Sequence, residues 1–284
     1  DDFADSYLRG ETPIPCVRCN QTVKFQDLLK TAKDLGADAL CTGHYVKRVV
    51  GSQGTELHCG EDPTKDQSYF LFATTQEQLE YLRFPLGHLS KDETRAHAAR
   101  FKLDVAEKPD SQDICFVPDG RYSDVVKRLR PGAIDPGKIV HIDGSILGDH
   151  DGIINFTIGQ RKGLGIGGRV AADSIGESPP LYVLELDPTQ KTVIVGPKSA
   201  LARDTVLVNQ INWIGANSPL TDSLDVLVKL RSTQEPVHGT LCRANNEEGR
   251  LVLKQKQFGI SSGQAAVFYS AENRSRVFGG GWIV

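Results

Sequence analysis

Three cysteines stand where chemistry is possible. Cys16 and Cys19 are three residues apart in Thr12-Pro13-Ile14-Pro15-Cys16-Val17-Arg18-Cys19-Asn20, a proline-stiffened stretch ahead of an expected helix. The thiolate is both nucleophile and metal ligand, and Arg18 and Lys24 favour it. Three readings of the pair stay open. It is half of a zinc site, with Cys41 and His44 as the other half; a redox pair, although such pairs follow a strand rather than prolines; or two unrelated thiols. Cys115 follows the polar run 110–113 and precedes Asp119-Gly120, which argues for the surface; its apolar neighbours Ile114 and Phe116 argue for burial. Thr42-Gly43-His44-Tyr45 falls at the end of an expected parallel strand, where α/β sheets bind ligands. The stretch 152–172 holds three cations, Arg161, Lys162 and Arg169, and no acid, on a glycine-rich backbone able to approach a phosphate. Its glycine spacing is not a dinucleotide fingerprint, because no helix pattern follows, and no G-x-x-x-x-G-K-[ST] loop occurs in the chain.

The elements that must position these residues change character along the chain. Residues 2–8 end a helix stopped by Gly10. A second helix is expected from Asn20, with Phe25, Leu28, Leu29, Ala32 and Leu35 on one face and Gly36 closing it. Residues 38–42 read as a short buried strand and 55–59 as another; Thr75-x-x-Gln78 and Ser90-x-x-Glu93 are capping boxes. The second opens a helix with Ala96, Ala99 and Leu103 inward, and a further helix is expected at Tyr122–Leu129. Asp143-Gly144 marks a hairpin between strands 139–142 and 145–147, and 153–158 reads as a strand. Beyond 178 the chain is all β: strands at 181–186, 192–195, 206–214, 224–230, 237–242, 251–254, 265–269 and 277–278 suggest a small barrel or sandwich.

With 284 residues, two or three domains are expected. The apolar and charged fractions are those of a globular protein, and no run of 18 apolar residues or leader occurs. Six irregularly spaced cysteines fit a reducing cytosol better than a disulfide framework, so a cytoplasmic location is expected. The net charge of −3 confines nucleic-acid binding to local patches. The chain has no Met and starts at Asp1, which reads as a fragment.

In order along the chain, Thr12-Pro-x-Pro, Cys19-Asn20, Thr42-Gly-His-Tyr45, Lys65-Asp-Gln-Ser-Tyr-Phe-Leu71, Ile114-Cys-Phe116, Gly159-Gln-Arg-Lys-Gly-Leu-Gly-Ile-Gly167 and Gly263-Gln264 resemble the tRNA-specific 2-thiouridylases, the MnmA or TrmU family. The resemblance implies a multi-domain α/β plus β chain. It comprises the C-terminal part of a PP-loop (adenine-nucleotide alpha-hydrolase-like) ATP-pyrophosphatase domain at 1–120, a small central tRNA-binding domain at 121–177, and a β-barrel like those of elongation factor Tu at 178–284. It further implies ATP-dependent transfer of sulfur to C2 of the wobble uridine, by way of an adenylated uridine. Cys115 would carry a persulfide loaded by a relay protein, and Cys19 would release the sulfur and end in a disulfide with Cys115. ATP with Mg2+, tRNA held by its anticodon arm and a monomeric enzyme with no resident metal are expected. By the same matching Gly43 would contact the nucleotide, and Ile14, Pro15 and Cys16 the target base. His44, Lys65, Asp66, Gln67, Arg161, Lys162, Arg231 and Gln264 would contact the tRNA. Two departures matter. The family's Ser-Gly-Gly-x-Asp-Ser phosphate loop would lie upstream of Asp1, so these residues alone are expected not to thiolate. Many members also carry Asp where this chain has Cys16, which makes Cys16 a competing disulfide or metal partner for Cys19. The alternatives are a non-catalytic RNA-binding protein with a zinc-stabilised Cys16/Cys19 site, or another PP-loop RNA-modifying enzyme.

Overall fold

The computed structural model describes residues 2–52, 54–108, 114–117, 122–166, 179–215, 222–245 and 247–284. After α1 (Asp2–Leu8), helical backbone runs without a break from α2 (Pro15–Cys19) through a π-helical stretch, Asn20–Asp27, into α3 (Leu28–Asp34). The expected start at Asn20 is therefore late. Pro15 takes the first helical position, where its missing N–H costs nothing, so Cys16 and Cys19 lie in a helical turn and not in a loop. The π turns also displace the expected apolar face. Phe25 and Leu29 are buried, but Leu28 and Leu35 point to solvent, because i→i+5 bonding shifts later residues off a 3.6-residue stripe. Gly36, at φ +75°, closes the helix as expected.

The parallel pair β1 (Leu40–Cys41) and β4 (Leu82–Arg83) is short, and Cys41 is exposed rather than buried. Between them, β2 (Val46–Gly51) and β3 (Gly54–Cys59) form a hairpin whose first strand the sequence reading missed. Both capping boxes are complete and open α4 (Gln76–Tyr81) and α5 (Lys91–Arg100). Helix α5 buries none of its residues. It stops at Arg100 with Lys102 left-handed at φ 55°, so Leu103 is not on the helix and the expected Ala96/Ala99/Leu103 face does not exist. Helix α6 (Tyr122–Leu129) buries Val125 and Val126.

A four-stranded sheet follows in the order β6-β5-β8-β7, from β5 (Gly137–His141), β6 (Ile146–His150), β7 (Leu181–Asp187) and β8 (Thr192–Pro197), with β5 and β8 parallel. Strands β7 and β8 thus belong to the central sheet and not to the barrel, which begins at Ala202 and not near 178. The expected strand at 153–158 is a 3-10 turn, Ile153–Asn155; Ile153, Ile154 and Phe156 are all buried, a pattern without the alternation of a strand. The barrel closes six strands: β9 (Ala202–Trp213), β10 (Ser223–Lys229), β11 (Val237–Arg243), β12 (Gly249–Phe258), β13 (Ala265–Ser270) and β14 (Arg276–Ile283), in the order β13-β10-β11-β12-β9-β14 with β13 paired to β14.

The parts are sewn together. Strand β3 extends the barrel sheet through Leu57↔Val277 and His58↔Arg276. One core joins Val17, Phe25, Leu57, Phe72 and Leu82 to Val267, Tyr269 and Trp282 of the barrel. A second joins Phe3, Ala4 and Tyr7 of α1 to Val126, Ile139 and Val183 of the central unit. The residues Glu11 to Pro15 therefore leave one core and enter another.

Candidate functional site

At that crossing lies a cavity of about 630 Å³. Its walls are Phe3 of α1, Pro13, Ile14, Pro15 and Arg18, Phe116, Val125 and Leu129 of α6, and Trp282 and Ile283 of the barrel. Pro15 and Arg18 sit beside Cys16 and Cys19, and Phe116 follows Cys115, so both cysteine segments reach one cavity. Phe116 is held edge-on to Phe3, with ring centres 5.2 Å apart. The Arg18 guanidinium lies 4.4 Å from the centre of the Trp282 ring, and Trp282 packs on Phe72 at 5.4 Å. Cys16 and Cys115 are exposed, Cys19 is half-buried, and all six cysteines are outside disulfides.

Barrel residues hold the segment before Cys16. Gln264 Nε2 donates to the Thr12 carbonyl at 2.9 Å, Thr12 N–H donates to the Ser262 carbonyl at 2.9 Å, and Thr12 Oγ1 donates to Ser261 Oγ at 3.2 Å. Gly263, at φ +82°, makes this approach possible: a Cβ there would sit 3.0 Å from Glu11 Cβ and 3.2 Å from Thr12 N. Gln264, expected to touch tRNA directly, is thus bound to the cysteine segment.

A second cavity, of about 690 Å³, gathers Gly43, Lys65, Asp66 and Gln67 with Lys91, Lys229 and residues 232–235. Its order comes from hydrogen bonds. The Asp66 carboxylate, 5% exposed, accepts from Gly60 N–H at 3.0 Å, Ser68 N–H at 3.2 Å and Ser68 Oγ at 2.7 Å, with Lys229 Nζ 3.9 Å away. Gln67 Oε1 accepts from Tyr45 N–H at 2.9 Å, and Gln67 N–H donates to the Tyr45 carbonyl at 3.1 Å. Asp66 and Gln67 therefore shape the loop, while Lys65 is placed at the cavity. His44 lies beside Gly43, 2.9 Å from Thr42 Oγ1 through Nδ1, between the rings of Phe25 and Phe84. Burial, helped by the charge of Lys24, pushes its pKa down to about 4, so the imidazole is neutral at pH 7.

Exposed Arg161 and Lys162 lie just beyond Gly159, whose own Cβ would stand 3.6 Å from the Gly259 Cα of the barrel. Arg231 Nη2 donates to the Phe258 carbonyl at 3.3 Å. The end of the basic loop, 167–169, and the flanks of Cys115 at 110–113 and 119–120 fall outside the described residues. Among the described residues no three metal-ligating side chains come together, so Cys41 and His44 do not complete a site with Cys16 and Cys19. No described helix is long and apolar enough to cross a membrane. Sequence reasoning missed Trp282 and Lys229. Trp282, in a Gly-Gly-Gly-Trp run, carried a signal; Lys229 carried none.

Family models match in three consecutive pieces: a tRNA methyl transferase HUP domain over residues 1–119, a tRNA methyl transferase PRC-barrel domain over 123–197, and an aminomethyltransferase beta-barrel domain over 203–283. The last division coincides with the one the sheets show. Proteins named tRNA-specific 2-thiouridylase MnmA align along all of this chain. That of Rhodospirillum centenum is 60% identical over 284 residues, 71% of its length. That of Ruegeria pomeroyi is 56% identical over 286 residues, 74% of its length. That of Maricaulis maris is 56% identical over 283 residues, 67% of its length. The chain belongs to the tRNA-specific 2-thiouridylase family.

Proposed function

We propose that the protein replaces O2 of the wobble uridine of tRNA with sulfur, and that Cys115 and Cys19 carry the transfer. The observation that carries this reading is the shared cavity: Pro15, Arg18 and Phe116, which neighbour Cys16, Cys19 and Cys115, line one space whose apolar side chains alternate with the charged Arg9, Glu11 and Arg128. The relatives are named tRNA-specific 2-thiouridylases, and the residues here suit such a transfer. A uridine flipped from the anticodon would find apolar surfaces in Ile14, Pro15 and Phe116.

Uridine O2 leaves poorly, and ATP, when bound, supplies the adenylyl group that makes it a leaving group. The nucleotide would sit at exposed Gly43, two residues beyond the parallel strand β1; among the described residues no loop grips a triphosphate or its Mg2+. The protein's own part is sulfur handling. The terminal sulfur of a Cys115 persulfide, loaded by a relay protein, attacks C2, and the bond from C2 to the activated oxygen breaks with its electron pair. The Cys19 thiolate then attacks Sγ of Cys115, the sulfur stays on C2, and a Cys19–Cys115 disulfide results. Neutral His44 adds a polar contact without a charge, and Lys65 a cation, for the anticodon arm. We further propose a cytoplasmic monomer.

The test is mass spectrometry of nucleosides from an unmodified tRNA transcript incubated with ATP, a persulfide donor and the protein joined to the family's Ser-Gly-Gly-x-Asp-Ser phosphate-loop segment, the 284 residues alone being expected to give no product. 2-Thiouridine is expected, with Cys19→Ser and Cys115→Ser each reducing it by on the order of 10³-fold or more, as when a nucleophile is lost. A Cys115→Ser protein that still forms 2-thiouridine would refute the assignment. Cys16, one helical turn from Cys19, is a competing partner in the same reading. Peptide mapping of the oxidised protein should show some Cys16–Cys19 bridge; only Cys19–Cys115 would count against it.

A further inference from the structure

The sulfur transfer proposed above ends with Cys19 and Cys115 joined, and Cys115 cannot take up another sulfur until that bridge opens. Such a bridge would tie two units together. Val17, two residues before Cys19, is fully buried in the core shared with the barrel, whereas Ile114 and Val117, near Cys115, pack in the core of α1 and the central unit. Cys16 stands closer. It and Cys19 are the second and last residues of α2, one helical turn apart, with only Val17 and Arg18 between them. Helix geometry puts Cα atoms at that spacing about 5 Å apart, within the span of a disulfide. Residues three apart also share a helix face.

The turn that carries the pair is held at each residue around it. Pro15 fixes its start, Val17 is sunk in the core, and the Arg18 guanidinium lies 4.4 Å from the centre of the Trp282 ring. Buried Asn20 donates from Nδ2 to the Phe70 carbonyl at 3.1 Å. The separation of Cys16 and Cys19 is therefore set before any chemistry begins, and closing a ring over two residues of fixed helix costs little chain entropy. Prolines ahead of the pair spoke against a redox role, but Pro15 is itself helical, so the two thiols lie within a helix. Exposure grades in the useful direction. Cys16 is exposed and Cys19 half-buried, so a disulfide between them offers its outer sulfur to a reductant in solution.

We propose that Cys16 is the resolving thiol of the site, which opens the Cys19–Cys115 disulfide from within and so frees Cys115 for the next sulfur. This rests on the sulfur-transfer reading and adds the step that resets it. The Cys16 thiolate attacks Cys19 Sγ, a Cys16–Cys19 bond forms, and the Cys19–Cys115 bond breaks with its electron pair leaving on Cys115 as a thiolate. One disulfide replaces another, so this exchange consumes no oxidant or reductant. A dithiol from solution then attacks exposed Cys16, releases Cys19, and is oxidised to its own disulfide as both cysteines return to thiols. The exchange trades a bridge between two cores for one inside a single helical turn.

The experiment takes the chain joined to its phosphate-loop segment, loads it from a persulfide donor, removes the donor, and adds tRNA transcript and ATP without reductant. Acid quenching, alkylation and peptide mapping then locate the disulfide. The wild type should end with Cys16 bridged to Cys19 and Cys115 alkylated. Cys16→Ser should stop at Cys19–Cys115, and so should Cys16→Asp, which carries the residue of many relatives. A tethered thiol acts at millimolar effective concentration, so with dithiol held at about 0.1 mM the ratio of steady-state to single-turnover rate should fall about tenfold or more in Cys16→Ser. A large excess of dithiol should restore that ratio. Cys115→Ser should form no bridge during the reaction; Cys16–Cys19 appearing there as fast as in the wild type would mark plain oxidation and overturn the exchange. If 2-thiouridine forms and the wild type still holds Cys19–Cys115, the resolving role is overturned and the sulfur-transfer reading stands. If no protein forms 2-thiouridine or a bridge to Cys115, both are overturned.

Discussion

The two cavities are close in volume and opposite in construction. The cysteine cavity is walled by side chains from four parts of the molecule: α1, the helix start at Pro15, α6 and the barrel strand β14. Its shape depends on packing between units, with Trp282 wedged between Arg18 and Phe72. The Lys65 cavity is shaped by local hydrogen bonds, in which Asp66 and Gln67 pull their own backbone neighbourhood into place. The difference suits the two tasks. A pair of thiols needs packed walls that hold two distant segments together, whereas a surface for a charged strand needs rigid polar groups open to water. If so, substitutions in the first should damage the joint between units, and those in the second should stay local.

The largest effect on stability is expected at Trp282. Its replacement by Ala removes a ring that is 9% exposed and shared by the inter-unit core, and should cost about 3–5 kcal/mol. Thermal unfolding would measure it, and Trp282→Phe should recover part of the loss. A loss below about 1 kcal/mol would show that the joint does not lean on this ring.

His44 tests the border of the polar cavity by pH. Its folded pKa, about 4, lies below the ordinary 6.5, so between these values the unfolded chain binds a proton that the folded chain does not. The stability that depends on neutral His44 is complete above pH 6.5 and declines as pH falls toward 4, by about 3 kcal/mol at most. Urea midpoints from pH 7 to 4.5 should fall more steeply for the wild type than for His44→Gln. Parallel curves would place the acid sensitivity elsewhere.

How legible each cavity was follows from the same contrast. Local signals carried far: Thr75-x-x-Gln78 and Ser90-x-x-Glu93 became capping boxes, Gly36 ended its helix, and Asp143-Gly144 turned its hairpin. Most strands of the barrel were visible as short runs at regular spacing. What such spacing does not contain is the partner. Strands β7 and β8 read like the barrel strands that follow them, but β8 pairs with β5 more than fifty residues earlier, and β3 joins β14 across most of the chain. The cysteine helix hid for another reason: prolines read as breakers until Pro15 turns out to be the first helical residue, and a π turn has no sequence period of its own. Cys19, Cys115 and Gly43 were singled out through motifs; Trp282 had only its Gly-Gly-Gly run to mark it, and Lys229 was placed by pairings that local pattern does not encode.

Asp66→Ala should cost about 1–3 kcal/mol, because three donors and the nearby Lys229 ammonium lose a buried carboxylate. Since these bonds are local, the cysteine helix should keep its amide protection in hydrogen exchange while residues 60–68 lose theirs. Spread of the loss to residues 15–20 would erase the distinction between the two cavities.

The smallest effect sharpens the comparison most. Gln264→Ala removes one hydrogen bond to the Thr12 carbonyl, worth about 1 kcal/mol, and leaves the Thr12 N–H bond to Ser262 intact. Global stability should hardly change. Yet Thr12 is the point where the barrel holds the segment that carries Cys16 and Cys19, and Gly263 already brings the two backbones as close as they can come. Loosening it should therefore show as faster amide exchange at Thr12 and faster alkylation of half-buried Cys19, with exposed Cys115 reacting at its former rate. If Gln264 served RNA contact alone, the variant would weaken tRNA binding and leave both thiols as they were. The ratio of the two alkylation rates, measured without RNA, separates a residue that holds the site from one that only touches the substrate.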